Sequence, residues 1–187
     1  MAVPQHIVVM GVSGCGKTTV GEGLAAALGW PFDEGDRFHP PANVAKMAAG
    51  TPLTDDDRWP WLDRIVDALR QTTAASGNAV LACSALRESY RARLALAGVI
   101  RFVHLRGDHA IIAQRLAQRR HRYMPATLLA SQFATLEVPR DAIDIAVDQT
   151  VDAQVAAIVA ALAHAVTDRA RAPLAASPPR DAAAAAE

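Results

Sequence analysis

The eight residues GVSGCGKT, Gly11 to Thr18, constrain this chain more than any other stretch. They fit G-x-x-x-x-G-K-[ST] in full, follow the apolar run HIVVM and precede a segment with helical periodicity. Such a loop works in one setting. It leaves the end of a parallel strand and opens a helix, so that its glycines and the helix N-terminus turn successive backbone N–H groups onto a phosphate. Gly11, Val12, Ser13, Gly14, Cys15 and Gly16 are therefore expected to line nucleotide phosphates. Lys17 is expected to reach the β- and γ-phosphates as a catalytic cation, and the Thr18 hydroxyl to ligate Mg²⁺.

The rest of the chain supplies the surroundings this loop requires. Short apolar runs near 6–10, 30–33, 79–83, 100–105 and 143–147 alternate with longer helical patterns, which predicts an α/β fold with a parallel sheet flanked by helices. The first helix should start at Lys17 and stop at Gly29. Thr54 and Asp57 predict a capped start for a second, with three aspartates at its positive end. Ser84 and Asp108 are the expected caps of the helices after the third and fourth strands. From Thr167 the periodicity gives way to Ala and Pro, so residues 167–187 read as a disordered tail behind one domain, 1–166.

Composition excludes several classes. Nineteen basic residues balance nineteen acidic ones, leaving no net field to draw the chain onto nucleic acid. Hydrophobic residues make up 51%, yet the longest apolar candidate, VDAQVAAIVAALAHAV, carries Asp152, Gln154 and His164 and reads as a helix of the fold, not of a membrane. The N-terminus has no basic leader, so a cytoplasmic location is expected. Cys15 and Cys83 are too few for a disulfide framework and match no zinc spacing; they read as buried thiols, with oxidative coupling of the two as the alternative.

A phosphate loop alone leaves the chemistry open. No N-K-x-D guanine-reading tetrad is present, and the third strand ends LACSAL without the acid a motor would place there. The magnesium carboxylate must come from elsewhere, and DEGD, residues 33–36, follows the second strand. Ligands of such sheets bind beyond the carboxyl ends of the strands, which puts DEGD beside the phosphate loop. One acid can help hold hydrated Mg²⁺, where Glu34 is assigned with Asp33 as the alternative, and another can hydrogen-bond an acceptor hydroxyl.

GVSGCGKTT, GDRFHPPANVAKMAAGTPLTDDDRWPWL, LACSALRESYR and SQFATLE together resemble the gluconokinase family, from about His6 to Leu162. The resemblance implies a P-loop kinase fold with a five-stranded parallel sheet and a mobile lid near 115–130. It also implies transfer of phosphate from ATP, with Mg²⁺, to the terminal hydroxyl of D-gluconate, and often a homodimer. On that reading Asp36 orients the acceptor hydroxyl, and Arg58 meets the gluconate carboxylate unless it pairs locally with Asp55 or Asp57. Arg87 is the reserve for the carboxylate, and Ser84 either bonds sugar hydroxyls or caps its helix. Arg115 and Arg119, four apart, are expected to clamp the nucleotide, Arg119 catalytically. Where relatives read Gly-His-aromatic-Met, this chain has His121, Arg122, Tyr123 and Met124. The competing class is a regulatory module that holds ATP without transferring its phosphate, which would have no need of Asp36 and Arg58 together.

Overall fold

Apolar residues alternate along the central strands and so divide the interior into two layers. In β1 (Gln5–Met10), Ile7 and Val9 face one apolar cluster and Val8 and Met10 the other. The same alternation runs through β3 (Ala79–Ala82), where Val80 faces one side and Ala79 and Leu81 the other. Both faces of the sheet are therefore covered, as a parallel sheet requires. In this computed structural model, which describes residues 5–118 and 126–171, five parallel strands lie in the order β2-β3-β1-β4-β5. The remaining strands are β2 (Phe32–Glu34), β4 (Val99–Arg106) and β5 (Ile143–Ala146).

Two helical layers close the faces. Helix α1 (Lys17–Leu28) supplies Val20 and Leu24 to the first cluster. Ile112 joins it from α5 (His109–Ala117), Leu129 from α6 (Ala126–Thr135) and Ile158 from α7 (Val151–Arg171). The second cluster is built on Trp61, Leu62, Ile65 and Leu69 of α3 (Asp55–Ser76) and on Tyr90 and Leu94 of α4 (Glu88–Leu94). Each such side chain, fully buried, contributes roughly 1.5–3 kcal/mol. Among the described residues no helix is long and apolar enough to cross a membrane.

Several local expectations meet their geometry. Helix α1 spans Lys17–Leu28 and ends at Gly29, whose φ of 67° is the left-handed value glycine adopts freely. Helix α3 starts with a reciprocal capping box between Thr54 and Asp57. Lys46 pairs with Asp57 at 2.6 Å, and that bond, with those from Thr54, lowers the Asp57 carboxyl to about 2.

Others need correction. Ser84 does not cap α4: the helix begins at Glu88 with Arg87 at its N-cap, and the Glu88 N–H donates to the Glu137 carboxylate at 2.6 Å. Asp108 stands at the N-cap of α5 but makes no side-chain capping bond. Helix α2 (Pro41–Ala48) is not among the expected elements; it spans eight residues and of these buries only Asn43. Helix α7 continues to Arg171, past the expected end of order at 166, since Asp168, Arg169, Ala170 and Arg171 do not interrupt a helix already propagating. Residues 172–187 lie outside the described residues. Cys15 and Cys83 are both buried and belong to separate clusters, and burial pushes the Cys83 thiol up to about 12, so the structure gives no support to their oxidative coupling.

Candidate active site

The phosphate loop takes its shape from glycines held at positive φ. At Gly11, φ is 140°, and a β-carbon there would lie 2.9 Å from both Cys15 Sγ and the Leu105 carbonyl oxygen. Gly16, at φ 106°, occupies the N-cap of α1. The loop so formed leaves Lys17 curled inward, its Nζ donating to the Val12 carbonyl at 3.1 Å. With no side chain capping α1, its first N–H groups are free to meet an anion.

Beside the loop, β2 delivers the acids. Side chains alternate along a strand, so Phe32 and Glu34 share the face toward α1, while Asp33, paired with Leu81, takes the opposite face. The Thr18 hydroxyl donates to Glu34 Oε2 at 2.6 Å. That separates two candidates the sequence left together: Glu34, not Asp33, meets Thr18. The other Glu34 oxygen accepts from the Asp36 N–H at 3.5 Å and starts the 3-10 turn Gly35–Phe38. Ser13, Gly14, Gly16, Lys17, Thr18, Glu34 and Asp36 thus line one pocket.

A hydroxyl and a carboxylate oxygen this close suit a hard cation. Among the described residues no three His, Cys, Asp or Glu side chains gather to hold a metal alone. This fits Mg²⁺, which characteristically takes one or two protein oxygens and fills its shell with water and phosphate.

The turn carrying Asp36 is held from beneath. Trp61, 1% exposed, donates its indole N–H to the Gly35 carbonyl at 2.8 Å and stacks on His39 with ring centroids 4.2 Å apart. Burial lowers His39 to about 4, with Arg58 lowering it further and Asp36 opposing. His39 is accordingly neutral near pH 7.

The arginines form a second group. Asp55 accepts from Arg87 at 2.6 Å and from the Tyr90 hydroxyl. Arg58 lies 3.9 Å from Asp55 and donates to the Leu53 carbonyl, so the local pairing considered from sequence is present. Both guanidinium groups pack over the Tyr90 ring, at 5.5 and 5.9 Å. Ser84 touches the phosphate loop through its carbonyl, which accepts the Gly11 N–H at 3.3 Å.

A cleft of about 370 Å³ opens on the other side of the loop, lined by Gly14, Gly16, Arg115, Gln118, Gln149 and Val151. Arg115 reaches it by donating to the Val147 carbonyl at 2.5 Å. Helix α5 ends at Ala117, so Arg115 and Arg119 do not share a described helix face; Arg119, Arg122 and the core of the expected lid, 119–125, lie outside the described residues. Sequence reading missed Gln118, Gln149 and buried Gln154, whose amide holds the loop after β5 through the Ala146 carbonyl at 3.0 Å. The available signal was position alone: that loop leaves the carboxyl end of a strand.

Known proteins resemble this chain in sequence and fold. The shikimate kinase family model matches residues 13–167. The gluconokinase of Gluconobacter oxydans is 56% identical over 139 residues, covering 74% of this chain and 78% of that protein. A probable gluconokinase of Xenopus tropicalis is 44% identical over 149 residues, covering 71% and 78%. The crystal structure of a gluconokinase from Sinorhizobium meliloti superposes with a TM-score of 0.81 at 43% identity, covering 91% of this chain and 98% of that one. At these identities and coverages, the chain belongs to the gluconokinase family of P-loop kinases.

Proposed function

We propose that the protein transfers the γ-phosphoryl group of Mg·ATP to the terminal hydroxyl of D-gluconate, giving 6-phospho-D-gluconate, as an enzyme of gluconate use in the cytoplasm. The observation that carries this reading is the single pocket lined by Lys17, Thr18, Glu34 and Asp36, which faces a phosphate cradle with an acceptor-side carboxylate. A module that only held nucleotide would need the first three and not the fourth.

Phosphoryl transfer has a loose transition state, so the protein's work is placement and charge neutralisation. On nucleotide binding Lys17 leaves the Val12 carbonyl for the β- and γ-phosphates. Thr18 and Glu34 would hold Mg²⁺, which would supply charge neutralisation at the phosphates. Asp36 accepts a hydrogen bond from the attacking hydroxyl and aims its lone pair at the phosphorus. Arg58 and Arg87, arrayed around Tyr90, receive the gluconate carboxylate, with Asp55 holding Arg87 in readiness. Ser84 contributes to the sugar hydroxyls. Arg115, at the cleft beside the phosphate loop, clamps the nucleotide on the kinase domain 1–166.

The test is ADP release from Mg·ATP against D-gluconate, other aldonates, glucose, shikimate and nucleoside monophosphates, with mass spectrometry of the product. Release with gluconate alone and one added phosphate supports the reading. Confirmed ATP binding with no release from any acceptor contradicts it.

A further inference from the structure

The end of α6 touches both halves of the site, through two side chains, Gln132 and Glu137, to which the chemistry above assigns no role. The Ser13 N–H of the phosphate loop donates to Gln132 Oε1 at 2.6 Å. Five residues later the chain reaches the acceptor loop after β3. There the Glu137 N–H donates to the Leu86 carbonyl at 2.9 Å, and the Glu137 carboxylate accepts the Glu88 N–H at 2.6 Å. Between these ends the segment is braced. The Leu136 N–H bonds to the Gln132 and Phe133 carbonyls, at 3.0 and 3.3 Å, and Leu136 packs against both apolar clusters.

The acceptor loop needs such a brace. Ala85 is fully buried at φ 42°, a left-handed conformation that a β-carbon disfavours and that persists only where surrounding contacts impose it. Buried Arg91 supplies part of that constraint, donating to the Ala85 and Leu86 carbonyls at 3.0 and 3.1 Å. Glu137 adds its two bonds just beyond, at Leu86 and Glu88. The peptide so constrained lies between Ser84 and Arg87, while the other end of the bridge holds the peptide four residues before Lys17.

We propose that Gln132 and Glu137 are positioning residues, the two ends of a rigid bridge that sets the phosphate loop and the acceptor loop at the separation phosphoryl transfer requires. Neither touches substrate. Their effect is on how often the acceptor hydroxyl stands in line with the phosphorus, a geometric condition on which rate depends steeply. The inference rests on the acceptor-kinase reading above.

The experiment compares wild type, Gln132→Ala, Glu137→Ala, Glu137→Gln and the double alanine variant for kcat, both KM values and thermal midpoint. Each single alanine variant is expected to lose about 5–30-fold in kcat, with both KM values within about threefold. Glu137→Gln, which keeps an acceptor for the Glu88 N–H, is expected to recover most of the loss. The double variant is expected to be no slower than about the worse single one, because cutting either end releases the same bridge. Unchanged kcat in the single variants, or a double loss equal to their product, would overturn the bridge and leave two unconnected local props. If Glu137→Ala does not fold, Gln132→Ala decides: lost kcat at unchanged ATP KM supports the bridge, and full kcat refutes it. A wild type inactive toward gluconate yet binding ATP would instead remove the reading on which the bridge depends.

Discussion

Replacing Gly35 by alanine tests how the acceptor carboxylate is held. Gly35 is buried between β2 and the turn bearing Asp36, and a β-carbon there would stand 2.6 Å from the Ala82 carbonyl oxygen and 3.4 Å from Cys83 Cβ. Carbon–oxygen contacts close at about 3.3 Å, so the two segments must part by roughly 0.7 Å. Ala82 cannot retreat far, because β3 is hydrogen-bonded between β2 and β1. The displacement therefore falls on the turn, and Asp36 moves with it. Overpacking of this kind costs about 1–3 kcal/mol of stability. A misplacement approaching 1 Å in a reacting geometry costs up to about 100-fold in rate, so kcat should fall roughly 10–100-fold. The ATP KM should stay within about twofold, since the Gly11–Thr18 backbone is untouched. Steady-state kinetics varying ATP and gluconate separately, with a thermal melt as control, makes the measurement. Wild-type kcat in a destabilised Gly35→Ala protein would refute the reasoning, as would an ATP KM that rises in step with the loss of kcat.

Glu34→Gln should raise the Mg²⁺ concentration needed for half-maximal activity by about 10–100-fold, the usual scale for disturbing a metal site, and a Mg²⁺ titration at saturating ATP reads it directly. Arg87→Met should raise the gluconate KM about 10–100-fold, the worth of a charged hydrogen bond, with the ATP KM unmoved. His39 gives a pH test. Its folded value of about 4 lies below the usual 6.5, so between those limits the unfolded chain binds the extra proton and stability falls as pH drops through the window. Urea midpoints at pH 7.5, 6 and 5 should show that decline, and His39→Gln should flatten it. Cys83, buried with its thiol raised to about 12, should resist alkylation at pH 8 until the protein is unfolded, as mass spectrometry of iodoacetamide adducts would record.

The residues that could be read from sequence are those whose chemistry is local. Gly11 to Thr18 announce a loop because only glycine permits those backbone angles, and Thr54 with Asp57 announces a helix start because the capping box closes within three residues. The short apolar runs set between helical patterns likewise announce a parallel sheet covered by helices. What stayed hidden depends on partners far along the chain. Ser84 has the composition of a cap, but the N–H groups of α4 are met by Glu137, forty-nine residues from Glu88. Helix α2 carries one local sign, Pro41 at its first position, but it is only eight residues long and buries only Asn43. Glu34 and Asp33 differ only in the face of β2 they occupy, which follows from pairing with β3 and not from their own chemistry. DDDR offers Arg58 a local partner in Asp55, but its sharing of Tyr90 and Asp55 with Arg87 comes only from the fold.

The central claim is that Asp36 aims the acceptor while the phosphate loop holds the nucleotide independently of it. A single-turnover measurement with Asp36→Asn tests this most directly, mixing the variant with Mg·ATP and excess gluconate, following formation of the phosphorylated product, and measuring ATP affinity by calorimetry on the same sample. The account predicts a rate reduced by about 100-fold or more, within the range for general acid–base groups, at an ATP affinity within about twofold of wild type. Transfer at the wild-type rate would contradict it and return Asp36 to the solvent-facing acids.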